Sequence, residues 1–165
     1  MVDHGLLLDK LRVYGVAGET MKWFQSYLVD GHRLVYLGGC VSDKALMKHG
    51  VPQGSILGPL FFTVFINDLP LHVSSSEINL YADDTTSTSL ANCGSMGRLQ
   101  KSLNTSVSEV FNWALANRLP LNEKKTKALT VKGKRLSTKI NNNPEITCNG
   151  SLLTNVTNVI KATRS

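Results

Sequence analysis

Cysteine is scarce in this chain and never paired. Cys40, Cys93 and Cys148 are scattered, with no Cys-x-x-Cys spacing. His4, His32, His49 and His72 show no zinc-ligand spacing either. These absences argue against a disulfide framework and a structural zinc site, and they read as reduced thiols in a cytosolic or nuclear protein. Long apolar runs are missing too. The longest, Ile56 to Ile66, contains Gly58 and Pro59 and is too short to span a bilayer, so no membrane partner is expected. Met1-Val2-Asp3-His4-Gly5 is no secretory signal, and the sequon matches at Asn104, Asn149 and Asn155 are therefore read as chance. There are no internal repeats and no linker that would divide the chain. Acidic residues are the minority charge: 12 Asp and Glu stand against 18 Lys and Arg, a net charge of +6. That excess is compatible with a polyanionic partner.

What is present is one domain's worth of globular sequence, 165 residues of which 42% are hydrophobic. Leu6, Leu7, Leu8 and Leu11 mark a short helix ending near Gly15. Met21, Phe24, Tyr27 and Leu28 mark a second, from about Glu19 to Leu28 with Gly31 as its stop. Arg33 to Leu37 reads as a strand, Gly38-Gly39 as a hairpin turn, and Val41 to His49 as the return. From Pro59 to Ile66 nearly every residue is apolar, which predicts a helix buried on all sides as the central core element under a sheet. Leu99, Leu103, Val107, Phe111 and Ala114 recur at helical spacing, with Ser95 as a candidate cap and a stop near Asn117, before Pro120. Lys127 to Val131 is a candidate strand and Asn141 to Pro144 a turn. Glu145 to Val159 suggests a final irregular hairpin. Between Arg118 and Lys139 there are eight Lys or Arg and one acid, Glu123, which reads mostly as a solvated basic face.

The chemistry concentrates at Tyr81-Ala82-Asp83-Asp84. Apolar Ile78 to Tyr81 precedes the aspartates and Thr85 to Ser89 follows, so the stretch reads as strand, tight turn and returning strand. Taken alone, paired aspartates in a polar loop are ordinary. Adjacent carboxylates nevertheless repel each other unless they share a proton or a cation. Mg²⁺ is the natural candidate, because one or two carboxylates and substrate phosphates suffice to hold it. Upstream, Gly50, Pro52, Gly54 and Gly58 punctuate a loop whose backbone can approach a ligand closely. Alone, that loop would be a plain Gly/Pro turn before a helix.

Together these motifs resemble a known family. Tyr-Ala-Asp-Asp is similar to the catalytic hairpin of reverse transcriptases. Gly50-Val51-Pro52-Gln53-Gly54-Ser55-Ile56-Leu57-Gly58-Pro59-Leu60, with Phe65-Ile66-Asn67-Asp68-Leu69, resembles the Pro-Gln-Gly motif of non-LTR (LINE-type) retrotransposon polymerases. Trp113 to Thr126 resembles a third motif of the same enzymes, with Ala114 where they carry Leu. The resemblance implies an α+β polymerase palm, a ferredoxin-like or RRM-like antiparallel sheet packed on helices. It implies RNA-directed DNA synthesis from an RNA template, a DNA primer and dNTPs, with two Mg²⁺ ions and no small-molecule cofactor. Asp83 and Asp84 would be the catalytic metal ligands. Tyr81, Pro52, Gln53, Gly54 and Lys125 would touch template or nucleotide, Lys125 facing the phosphates.

The resemblance also implies a partial domain, truncated at both ends. Val2-Asp3-His4 matches only the tail of the family's first motif, whose metal-binding Asp would precede Met1, and Asp3 falls at a non-ligand position. The thumb and any endonuclease domain are likewise expected to be absent. The fragment alone is expected to be inactive or nearly so, in an intracellular setting, nuclear or cytoplasmic. A retained, non-catalytic nucleic-acid-binding module is the competing expectation, and binding of primer–template by a folded product would favour it. A decayed product without function is the third, and insolubility would favour that one.

Overall fold

The computed structural model describes residues 2–29, 31–52, 54–133 and 143–160. Two compact units are formed, Met1–Asp68 with Ala116–Leu119, and Leu69–Leu115 with Pro120–Ser165.

The first unit is built on helices. Asp3 caps α1 (His4–Val13), its carboxylate accepting the Leu6 amide at 3.0 Å. α2 follows at Gly18–Leu28, close to the expected bounds. α3 (Leu57–Ile66) packs Phe61 and Phe65, both 0% exposed, against Leu7, Leu8, Leu11, Met21 and Leu28. Full burial of each such ring contributes about 2–3 kcal/mol. Phe24 of α2 meets Phe61 edge-on at 5.2 Å between centroids. Lys10 donates to the Phe65 carbonyl and to Asp68, each at 2.7 Å, closing the C-terminal end of α3 with a positive charge.

α3 departs from the expectation of burial on all sides beneath a sheet. Its partners in this unit are α1 and α2, which cover one side only, so Gly58, Phe61, Phe65 and Ile66 are buried while Leu60 is 52% exposed. The hairpin after α2 forms in two short pieces. β1 (His32–Arg33) pairs antiparallel with β4 (Ala45–Leu46), and β2 (Tyr36–Leu37) with β3 (Cys40–Val41). Gly38 and Gly39, both at positive φ, make the turn as expected. Between the pieces the Ser42 hydroxyl accepts the Val35 amide at 2.9 Å, so a side chain stands in for a ladder acceptor.

The second unit carries a short helix α4 (Leu69–His72), the hairpin β5 (Glu77–Tyr81) and β6 (Asp84–Thr88), and α5 (Met96–Ala116). A 3₁₀ turn, Cys93–Ser95, precedes α5. Ser95 does not cap it: its hydroxyl donates back to the Asn92 carbonyl at 2.9 Å. β7 (Lys127–Gly133) pairs with β10 (Thr154–Ile160), and the small hairpin of β8 (Thr147–Cys148) and β9 (Ser151–Leu152) turns at Asn149-Gly150. Both turn residues have positive φ, the conformation that Asn-Gly favours in a two-residue hairpin. Ile146, Cys148 and Leu153 are buried against Leu103, Val107 and Phe111 of α5.

The mixture of helices and strands fits the α+β expectation. The single antiparallel sheet does not form among the described residues, where strands pair only two by two. The long ladder of β7 with β10 is parallel, an arrangement that needs a long connection such as the stretch between Gly133 and Thr154. The expected terminal hairpin shrinks to β8 and β9, and Thr154 to Val159 pair with β7 instead. Asn141 and Asn142 of the expected turn lie outside the described residues. Among the described residues, no helix is long and apolar enough to cross a membrane.

Candidate active-site hairpin

Tyr81 and Asp84 form the last pair of the β5–β6 ladder, leaving Ala82 and Asp83 as a two-residue turn. Asp83 therefore stands at the tip and Asp84 opens the return strand. Both are exposed, and Tyr81 is 83% exposed beside them. No described residue pairs with either carboxylate by hydrogen bond or ion pair. Ala82 is held at φ +51°, a left-handed conformation that costs a non-glycine residue about 1–2 kcal/mol. Positive φ at the first loop position alone matches a type II′ turn, where glycine is favoured. Strain of this kind persists only where surrounding structure enforces it.

The two legs of this hairpin are tied to α5. Ser106, 0% exposed, stands 2.5 Å from the Ser76 hydroxyl and 2.8 Å from that of Ser87, and these two are 2.7 Å from each other. Ser76 leads into β5 and Ser87 lies in β6, so one helix residue ties both legs of the hairpin. One turn further on, Glu109 accepts from the Ser75 hydroxyl at 2.7 Å and the Ser74 hydroxyl at 3.0 Å. The Ser75 hydroxyl, then Ser74, hold the Glu109 carboxyl below its ordinary range against the opposing effect of burial. Ser102 adds a hydrogen bond to the Ser75 carbonyl. This serine set was missed in the sequence. The hydroxyl-rich composition of Ser74-Ser75-Ser76 was a visible signal, but its partners lie 11 to 35 residues further along the chain.

The Pro-Gln-Gly loop belongs to the first unit. Pro52 is half-buried, Gly54 is exposed at φ +81°, and Gln53 lies outside the described residues. The loop is drawn tightly onto α3. The Gly58 amide donates to the Ser55 hydroxyl at 3.0 Å, and a Cβ at Gly58 would stand 3.2 Å from that oxygen. Ser55, which the sequence offered only as part of the motif, thus also has a structural role.

Lys125 lies in the second unit, in a turn made by Asn122. The Lys125 amide donates to the Asn122 side-chain oxygen at 3.2 Å, and the Thr126 hydroxyl donates to the Asn122 carbonyl at 3.0 Å. The Lys125 side chain is exposed, and no described contact joins it to Asp83 or Asp84. Lys132 is 6% exposed, so the basic stretch is not one solvated face, and Lys134 and Lys139 lie outside the described residues. Of the expected site residues, then, Tyr81, Asp83 and Asp84 are brought together.

The model of the reverse transcriptase (RNA-dependent DNA polymerase) family matches residues 1–148. The chain belongs to that family. Its relatives place this reverse transcriptase sequence among those of non-LTR elements, in agreement with the motif reading. A probable RNA-directed DNA polymerase from transposon BS of Drosophila melanogaster is 35% identical over 131 residues, 69% of this chain. The RNA-directed DNA polymerase from mobile element jockey of the same species is 37% identical over 68 residues, 37% of this chain. The retrovirus-related Pol polyprotein from type-1 retrotransposable element R2 of Popillia japonica is 24% identical over 76 residues, 46% of this chain. These matches span 14%, 7% and 12% of the respective relatives, so the reverse transcriptase chain corresponds to a small part of each. No solved structure matches the chain significantly.

The donor chemistry at the hairpin fits a divalent cation. Asp83 and Asp84 offer hard oxygen ligands without competing partners among the described residues, and Mg²⁺ is commonly held by one or two carboxylates with water and phosphate. Among the described residues, no cluster of three or more His, Cys, Asp or Glu could hold a metal unaided.

Proposed function

We propose that this chain supplies the aspartate hairpin and nucleotide-facing loops of an RNA-directed DNA polymerase that copies an RNA template from a DNA primer with dNTPs. The observation that carries the reading is the exposed Asp83-Asp84 tip, pinned from below by α5 within a chain of the reverse transcriptase family. Asp83 and Asp84 hold the metal and orient the reacting oxygens. Pro52, Gln53 and Gly54 present backbone to template and nucleotide, Tyr81 flanks the tip, and Lys125 balances phosphate charge. Asp83 and Asp84 would be the residues that hold Mg²⁺, which when bound would supply charge stabilisation at the attacking 3′ oxygen and at the leaving pyrophosphate. Because no third ligand joins the two aspartates among the described residues, the 165-residue chain alone holds Mg²⁺ loosely and extends no primer.

Primer extension on a primed RNA template tests this. The chain should run at background at every Mg²⁺ concentration. A longer polypeptide that adds the family's first motif and a thumb should synthesise DNA, and Asp83→Asn within it should abolish synthesis. Persistence of synthesis with Asp83→Asn would remove the hairpin from the chemistry.

A further inference from the structure

Val2-Asp3-His4, which the metal site does not use, makes contacts far along the chain. The Val2 carbonyl accepts the Gly50 amide at 2.8 Å, and His4 Nε2 donates to the Gly50 carbonyl at 2.6 Å. Both polar backbone groups of Gly50 are thus held by this one tripeptide. Between them, Asp3 caps α1 with one carboxylate oxygen and takes the Arg118 guanidinium at 2.9 Å with the other. Arg118 itself sits at φ +54°, where a non-glycine residue needs a reason to remain. Asp3 and His4 are each 9% exposed, so their polar atoms carry a desolvation cost that apolar residues would avoid. What they provide in return is direction.

Gly50 begins the Pro-Gln-Gly loop and Gly58 ends it. The far end is fixed against α3 by Ser55, as described above. The near end has Gly50, at φ +81°, held by the tripeptide, with Val51 beside it packed against the core of the unit. We propose that Val2-Asp3-His4 is a positioning clamp for the Pro-Gln-Gly loop, with His4 as its decisive contact. The inference rests on the functional reading above only in what the loop touches. A binding loop must be held to within about 0.5 Å of its productive geometry, so loosening one anchor lowers affinity while leaving the aspartate hairpin intact.

The test uses the 165-residue chain with three substitutions at one position. His4→Gln keeps an N–H at nearly the reach of Nε2, His4→Asn keeps the donor but falls short, and His4→Phe keeps the ring without the donor. Leu7→Ala serves as a purely destabilising control. Amide exchange over residues 50–58, read by mass spectrometry without nucleic acid, should accelerate about tenfold in the Asn and Phe variants and stay near wild type in the Gln variant. Binding of a fluorescent primed RNA–DNA hybrid, read by anisotropy, should weaken severalfold in the same two variants and be retained with Gln. If His4→Phe does not fold, the comparison of Asn with Gln decides the matter. The clamp is overturned if Gln behaves like Asn, or if exchange rises across the whole chain as in Leu7→Ala. Failure of the unsubstituted chain to bind any hybrid would instead overturn the functional reading, and the exchange comparison would still judge the clamp.

Discussion

The Ser106 hydroxyl lies 2.8 Å from that of Ser87, fully buried, and the same oxygen reaches Ser76 on the other leg of the aspartate hairpin. Three hydroxyls in a closed ring can each donate once and accept once, so every member is satisfied. Ser106→Ala breaks two of the three contacts and leaves Ser76 and Ser87 to each other. A loss of about 1–2 kcal/mol is expected, visible as a lower urea midpoint with unchanged slope. Adding Ser87→Ala should cost less than its single effect, since the ring is already open. Strict additivity would mean the three hydroxyls act independently.

How much of this was legible beforehand depends on whether the cause was local. The Tyr81-Ala82-Asp83-Asp84 turn could be read because β-formers and turn residues lie side by side. α1 and α2 could be read because Leu7, Leu11, Met21 and Leu28 keep helical spacing. Ser106 and Arg118 could not, because each gains its meaning from a distant partner that sequence spacing does not reveal. The α3 expectation failed for a related reason. Composition measures how apolar a helix is, not how many neighbours it has, and Leu60 faces outward because α1 and α2 cover only the other side. The parallel register of β7 with β10 likewise depends on a crossover that no local pattern announces.

Asp3 gives a pH dependence of definite sign. The Leu6 amide first, and then the Arg118 guanidinium, hold its carboxyl below the ordinary value against the opposing effect of burial. A folded value below the unfolded one means that the stabilisation is complete above about pH 4, the unfolded range, and is lost as pH falls through the folded value. Asp3→Asn retains an acceptor for the cap but no charge. The stability gap between wild type and Asp3→Asn should be full at neutral pH and close under acid. A gap that stays constant down to about pH 2 would show that the charge contributes nothing.

The two cysteines with described side chains should react at very different rates. Cys40 is exposed on the β2–β3 hairpin, whereas Cys148 is 1% exposed, and burial, with Glu123 adding to it, pushes its thiol up. The thiolate is the reactive form, so both access and ionisation disfavour Cys148. Under native conditions a maleimide should label Cys40 within minutes and Cys148 only after unfolding. Peptide mapping by mass spectrometry distinguishes them, and early labelling at Cys148 would place the α5–β8 core in rapid opening.

Hybrid binding by the chain should be weak, tolerant of sequence and steeply salt-dependent, because Lys124, Lys125 and Lys127 are exposed charges suited to phosphate. Lys125→Ala should reduce the slope of log affinity against log salt by about 1. It should also weaken dNTP affinity more than Lys124→Ala does, as the phosphate-facing assignment requires. Equal losses would reduce Lys125 to one more surface charge.

Ala82 supplies the last prediction. It holds φ +51° at the first turn position between Tyr81 and Asp84, where a Cβ is unfavourable and glycine is free. Ala82→Gly relieves that strain but also widens the unfolded ensemble, which opposes the gain. The left-handed penalty of about 1–2 kcal/mol outweighs the entropy term of about 0.4–1 kcal/mol, so a net stabilisation of up to about 1.6 kcal/mol is expected. Ala82→Val should go the other way, because a β-branched side chain is stiffer still at positive φ. Urea midpoints for the three chains should therefore rank Gly above Ala above Val. If glycine instead lowers the midpoint, the turn is not strained at Ala82, and the tie from Ser106 to both strands is not holding it against a preference.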